Sequence, residues 1–185
     1  MGGILRPFLT ETPPEGTYSG YHQPLGNKND ADCLVLQELG DNAELTSNRE
    51  TLDYVVADEQ LVSLPAFVSN SLTMAAQLRG IQVVRSFQGP SANNRAENTG
   101  TYGELEQLKS FMDEADYKSP VFVTSGHNIG NILRQAKLVE INGIIVPPDL
   151  PHSFDIHSGQ VWTKHRLLWA LTSRLRIARL IAKGH

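Results

Sequence analysis

The sequence predicts an α/β fold: a five-stranded, mainly parallel sheet in the order 3-2-1-4-5, with helices on both faces as three layers. Three observations predict it. Short apolar stretches of strand length recur along the chain, at 32–37, 65–69, 81–87, 121–124 and 143–146. Stretches with helical spacing of apolar residues separate them. One of these transitions is unusually clear: Val121-Phe122-Val123-Thr124 runs into the polar turn Ser125-Gly126-His127-Asn128. Ile129, Ile132, Leu133 and Ala136 then recur at helical spacing.

The chain has 185 residues, which fits one domain with a core that needs no metal or disulfide staple. Residues 1–30 hold four of the ten prolines and little periodicity, and read as an irregular arm before a single α/β domain over 31–185. Cys33 is the only cysteine, so no internal disulfide exists, and its apolar setting marks it as a core residue. No apolar run approaches the roughly 20 residues of a membrane span. The first residues lack the basic start and apolar core of a signal peptide. These features predict a soluble, cytoplasmic protein.

The elements follow in order. Asp32-Cys33-Leu34-Val35-Leu36-Gln37 is a nearly continuous apolar run, suited to a parallel strand covered on both faces. Glu38 to Asn42 follows as a turn. Ser47-Asn48-Arg49-Glu50 has the spacing of a capping box, predicting one helix to about Val62. Pro65 to Ser69 is the second strand. Asn70-Ser71 opens a helix that Gly80 ends as a C-terminal cap. Ile81 to Phe87 is the third strand, and Gln88 to Gly100 is a polar loop longer than most connections.

Thr101-Tyr102-Gly103-Glu104 reads as a second capping box, with Leu105, Leu108, Met112 and Ala115 on the buried face of its helix. After the 118–131 stretch comes the fifth strand, Gly143 to Val146. Pro147 to Gly159 is a loop rich in proline and histidine. A long helix from about Val161 to Ala182 then closes the chain. Leu168, Leu171, Leu175, Ala178 and Ala182 trace one apolar stripe, widened by Trp162, Trp169 and Ile177.

In the order 3-2-1-4-5 the ends of strands 1 and 4 lie side by side where the sheet order reverses. A crevice opens there, and it is the default ligand site. The candidate groups at that edge are Gly40, Asp41 and Asn42; Ser69 and Asn70; Arg95, Asn98 and Thr99; and Ser125, Gly126, His127 and Asn128. Hydroxyls, amides and helix N-termini suit a small polar or anionic molecule such as a phosphate or a sugar. Proton exchange near neutral pH falls to His127 or Asp41. The same serines, asparagines and threonines are also ordinary helix caps.

Several signatures are missing. There is no G-x-G-x-x-G after the first strand, no P-loop and no H-E-x-x-H. No metal-ligand spacing occurs, and no recognisable nucleic-acid module is present.

The net charge of −4 is unevenly distributed. From Val161 onward there are six basic residues and no acidic ones, so the first 160 residues carry −10. The basic helix therefore has two readings. It packs beside an acidic body, or it offers a surface to anionic lipid through 161–183. A non-enzymatic, envelope-associated or partner-binding protein working through that helix is the alternative to a ligand-binding domain. Homodimerisation through its Trp162/Trp169 side is a third reading.

The chain resembles the YdcF-like, or SanA/ElyC-like, domain family, at the level of motifs from Asn98 onward. The resemblance rests on Asn98-Thr99 with Thr101-Tyr102-Gly103-Glu104, on Val123-Thr124-Ser125-Gly126-His127, on Ile144-Ile145-Val146-Pro147-Pro148, and on the helix from Trp162. It covers Asp32 to Leu180 in order of elements. Departures from the family pattern are also visible. The turn at Glu38 to Asn42 keeps one glycine, Ser69-Asn70-Ser71 stands where the family has Ser-Gly-Gly, His127 falls one position early, and Asn131 stands near a family arginine. The resemblance implies a Rossmann-like domain with a polar pocket at the switch point and an association with the bacterial envelope. It also implies a nucleotide-like ligand such as S-adenosylmethionine. The leading reading of the residues is a domain that binds a small polar or anionic ligand at the ends of strands 1 and 4 and acts on it as a transferase or hydrolase.

Overall fold

Strand β1 is Cys33–Leu36, and in the computed structural model all four of its residues are buried. The structure describes residues 24–40, 42–87 and 100–160. Within 161–185 it describes 163–165, 168–169, 171–172, 175, 178–179 and 182. After β1 come helices α1 (Thr46–Val56) and α2 (Glu59–Ser63), strand β2 (Ala66–Ser69), helix α3 (Thr73–Leu78) and strand β3 (Val83–Phe87). Helix α4 (Gly100–Ala115), strand β4 (Pro120–Val123) and helix α5 (Gly126–Leu138) follow.

The strands form one parallel sheet in the order β3-β2-β1-β4. Every residue of β1, β2 and β4 is buried, so both faces of the sheet are covered in its centre. β3 is half-exposed, as an edge strand is. The core runs from Leu34, Leu36 and Phe122 through Leu52, Leu61, Leu105 and Ile132. Cys33 sits within it, and burial, with the charge of Asp32 beside it, pushes its thiol up and away from reactivity. Among the described residues no helix is long and apolar enough to cross a membrane.

The sheet has four strands, not the five expected. The segment meant as the fifth does lie beside β4, through a single parallel bridge between Val121 and Ile145. Ile145 N donates to Pro120 O and Ile145 O accepts from Phe122 N, both at 2.9 Å. The next rung of a parallel ladder needs the N–H of residue 147, which is proline, so the ladder stops after one step. Val146 turns instead to the other side and exchanges two hydrogen bonds with Leu25, at 2.8 and 2.9 Å. The end of the N-terminal stretch is thus tied to the body. Its 3-10 turn, Lys28–Asp30, is held to α2 by the Lys28–Asp58 ion pair and by Gln60 Nε2 donating to Lys28 O.

Three other expectations change. The helix expected over 47–62 is two helices. Asp58 breaks it by accepting from Gln60 N and Leu61 N, which starts a new helix. The Ser47/Glu50 capping box does not form. Leu45 holds the N-cap position without a side-chain bond, and the carboxylate of Asp155, 109 residues away, accepts from Thr46 N at 2.9 Å. Ala115 is exposed rather than on the buried face of α4, whereas Leu105, Leu108 and Met112 are buried.

Gly143 carries the chain into the bridge beside β4. Its φ is +67°, and a Cβ there would stand 2.3 Å from the carbonyl oxygen of Lys118. Gly80 has a similar φ of +80° but open space around it. Gly143→Ala is therefore expected to cost clearly more than Gly80→Ala, which bears only the backbone strain of about 1 kcal/mol. Chemical denaturation of both variants checks this. Equal losses would contradict the close approach of residue 143 to the start of β4.

Candidate functional site

β1 and β4 end level with each other, Leu36 opposite Val123. The residues just beyond are polar on both strands. Gln37 N donates to Val123 O at 3.3 Å, so Gln37 continues beside Thr124 and Glu38 falls beside Ser125. Gln37, Thr124 and Ser125 are each at most 2 % exposed. From β2, the Ser69 hydroxyl accepts from Glu38 N at 3.3 Å and fixes the course of the chain as it leaves the sheet.

A carboxyl group from α4 closes this cluster. Glu104 is buried and accepts from Gln37 Nε2. Burial raises its pKa to about 8; the Gln37 bond works against that shift and the nearby Glu38 charge adds to it. At neutral pH Glu104 is therefore mostly protonated, a carboxylic acid able to give up a proton within reach of physiological conditions.

Three polar atoms of the cluster have no hydrogen-bond partner among the described residues: Gln37 Oε1, Thr124 Oγ1 and Ser125 Oγ. Leaving a buried polar group unpaired costs about 1–3 kcal/mol. Ser125 occupies the N-cap position of α5, yet its hydroxyl makes no capping bond. Ser125 therefore does not act as a side-chain cap of α5.

Next to these groups a row of amides is buried along α5. Asn131 Nδ2 donates to Asn128 Oδ1 at 3.4 Å, and Gln135 Nε2 donates to Asn131 Oδ1 at 2.6 Å. All three are at most 3 % exposed. They run i, i+3, i+7 along one side of the helix, a polar strip inside an otherwise apolar packing face.

The loop 147–160 forms a strap over the carboxyl edge of the sheet. Pro151 O accepts from Gly126 N at 2.6 Å, and the His152 carbonyl bonds His127 Nε2. A carbonyl only accepts, so Nε2 carries the proton. The His127 ring stacks on Phe154 at 4.1 Å and meets His152 edge-on, and Trp169 Nε1 donates to His127 O at 2.9 Å. On the other side, Asp155 caps α1 and Gln160 Nε2 donates to Gly40 O at 2.8 Å. Tyr54 OH donates to Pro148 O at 2.8 Å.

The structure brings some of the expected site residues together and disperses others. Ser69, Ser125, Gly126 and Asn128 lie at the β1/β4 edge. His127 lies there too, with its Nε2 bonded to the strap. Asn70 is exposed, and Asn42 is exposed in a local turn in which its Oδ1 accepts from Glu44 N. Asp41, Arg95, Asn98 and Thr99 lie outside the described residues.

The two glycines form no open cradle. A Cβ at Gly40 would meet Leu45 Cδ1 at 2.4 Å and Ser158 Oγ at 3.0 Å, and one at Gly126 would meet the His152 ring at 2.1 Å. Both spaces are filled by the protein's own side chains.

Sequence reasoning missed Gln37, Glu104, Thr124 and the Asn131/Gln135 strip. Glu104 reads as half of a capping box, but it lies a full turn inside α4 and points to β1. The available signal was the polar pair that ends two apolar strands, together with amides at helical spacing on the face of Ile132. No family model, curated protein or solved structure matches the chain.

The state of Glu104 has a consequence for stability. Below pH 4.5, its ordinary value, the carboxyl is protonated in both folded and unfolded chains. As pH rises from there to about 8 only the unfolded chain ionises, so the folded state progressively loses stability. Glu104→Gln keeps an acceptor for Gln37 and removes this penalty. It is expected to raise Tm by several degrees at pH 8 and to change it little at pH 4. Melting curves across that range check this, and a pH-independent effect would contradict a buried, protonated Glu104.

Proposed function

We propose that the chain is a small-molecule-binding protein of the YdcF-like, Rossmann-like type, with its site at the carboxyl ends of β1 and β4. The observation that carries this reading is the trio of buried polar atoms without a partner among the described residues, Gln37 Oε1, Thr124 Oγ1 and Ser125 Oγ, beside a buried carboxyl. A polar ligand entering there would supply the missing partners. It would convert an unfavourable feature of the free protein into binding energy. The strand order β3-β2-β1-β4 supports the three-layer arrangement, because right-handed crossovers send α1 to α3 to one face and α4 to the other. It places the order reversal at β1/β4, where open parallel sheets bind ligands.

Glu104 takes the role of the proton-exchanging group in a transferase or hydrolase reaction. A neutral carboxyl donates a proton to a leaving oxygen or nitrogen and regains it from solvent or a second substrate. Its neutrality also admits an anionic group that a buried carboxylate would repel. S-adenosylmethionine does not follow from the described residues. The first turn keeps Gly40 alone, and the space above Gly40 and Gly126 is taken by Leu45, Ser158 and His152. The reading favours a compact polar ligand, such as a sugar or sugar phosphate, over an extended nucleotide.

A thermal-shift screen of sugars, sugar phosphates, nucleotides and S-adenosylmethionine tests it. A ligand at 100 times its Kd adds about 2.7 kcal/mol, a shift of several degrees for a domain of this size. Thr124→Val and Ser125→Ala are expected to abolish the shift while leaving the Tm of the free protein unchanged or slightly raised, since neither hydroxyl bonds any of the described residues. A shift that survives both substitutions places the ligand elsewhere. A fall in the free protein's Tm assigns the hydroxyls to structure.

A further inference from the structure

The leucines of the C-terminal apolar stripe face outward. The described residues between 168 and 182 are helical, and Leu168, Leu171 and Leu175 are 40, 61 and 63 % exposed. They stand i, i+3, i+7 on one side of the helix, and Arg179 and Ala182 continue that exposed line. Trp169, off that line, holds the helix to the body: it is buried, with its indole N–H bonded to the His127 carbonyl. The leucines are thus presented by an anchored helix, not by a loose end.

We propose that this helix is a docking surface for an anionic lipid bilayer, lying in the headgroup plane with Leu168, Leu171 and Leu175 toward the acyl chains. Charge selects the occupant. The segment from Val161 onward carries six cations and no anion, which matches a negatively charged surface. The preceding 160 residues carry −10, so an anionic plane repels the body and leaves this helix as the face that can approach it. Area argues against a second copy of the chain. Three partly exposed leucines on one helix fall well short of the roughly 800 Å² per partner that a stable protein interface buries. A bilayer needs no shape complementarity and accepts a narrow apolar stripe backed by cations. The inference is independent of the ligand reading, since it uses none of the residues at the β1/β4 edge except the His127 carbonyl that anchors Trp169.

Flotation of the full chain with vesicles tests it, using phosphatidylcholine alone and phosphatidylcholine mixed with phosphatidylglycerol. Retention is expected only on the mixed vesicles at low salt, with release at high salt. Arg179→Glu is expected to lower the partition coefficient at least about fivefold. The double substitution Leu171→Ser with Leu175→Ser is expected to lower it about tenfold or more, at unchanged Tm because both side chains are exposed. No retention on either vesicle overturns the proposal, as does equal retention on neutral vesicles or retention that survives the leucine substitutions. A Tm lowered by those substitutions would show the stripe to be covered by the chain itself. A dimer in light scattering that they dissociate would assign the leucines to a second copy.

Discussion

The parallel pairing of β1 with β4 is the constraint on which the rest of the molecule depends. Their register, Cys33 opposite Pro120 through Leu36 opposite Val123, decides which residues stand level at the carboxyl edge. A slip of one residue would turn every side chain of one strand to the other face. Gln37 would lose Thr124 as its neighbour, and Glu104 would lose the amide that holds it. The register itself is secured by apolar burial on both faces. It is also secured at the opposite end, where the Asp32 carboxylate accepts from the N–H groups of Lys118 and Ser119.

Beyond the paired ends, the balance of forces changes. Inside β1, β2 and β4 every residue contributes to stability by burial. One step outside them, buried polar atoms stand without partners among the described residues, and a carboxyl is held in its neutral form against its preference in water. A chain selected for stability alone would place apolar residues or satisfied pairs at Thr124, Ser125 and Glu104. The strap of 147–160 compensates in part. It brings the Asp155 carboxylate to α1, the Pro151 carbonyl to α5 and the Gln160 amide to the β1–α1 loop, so this edge of the sheet is cross-linked by long-range bonds. Such a combination, a rigid frame around an unsatisfied polar cluster, is what a preorganised binding site requires.

Much of the fold is legible in the sequence, because β1, β2 and β4 are apolar runs and their connections carry helical spacing. The strap is legible only as a loop, since its long-range partners are set by tertiary structure. The capping patterns mislead for a physical reason. A serine or threonine three residues before a glutamate satisfies local donors only if no better partner arrives, and here Asp155 caps α1 while Gln37 claims Glu104. The fifth strand misleads because Ile144-Ile145-Val146 has the apolar character of a strand, but Pro147 removes the N–H that would extend its ladder. The leucine stripe at 168–175 has the period of a buried face. Periodicity reports that a helix has an apolar side, and not what that side meets. At the site, Ser125 and Asn128 are visible as polar residues at a strand end. Glu104 is not, because a glutamate inside a helix reads as solvent-facing until its neighbour across the sheet is known.

The site at the ends of β1 and β4 depends on one group, the carboxyl of Glu104. Its titration can be followed directly by 13C NMR of glutamate-labelled protein, with the resonance assigned by comparison with Glu104→Gln. A midpoint near 8 is expected, far above the 4.5 of an ordinary glutamate, so that the group is neutral at physiological pH. A midpoint near 4.5 would mean that Glu104 is solvated and ionised. The cluster at the ends of β1 and β4 would then be neither dry nor poised for proton exchange.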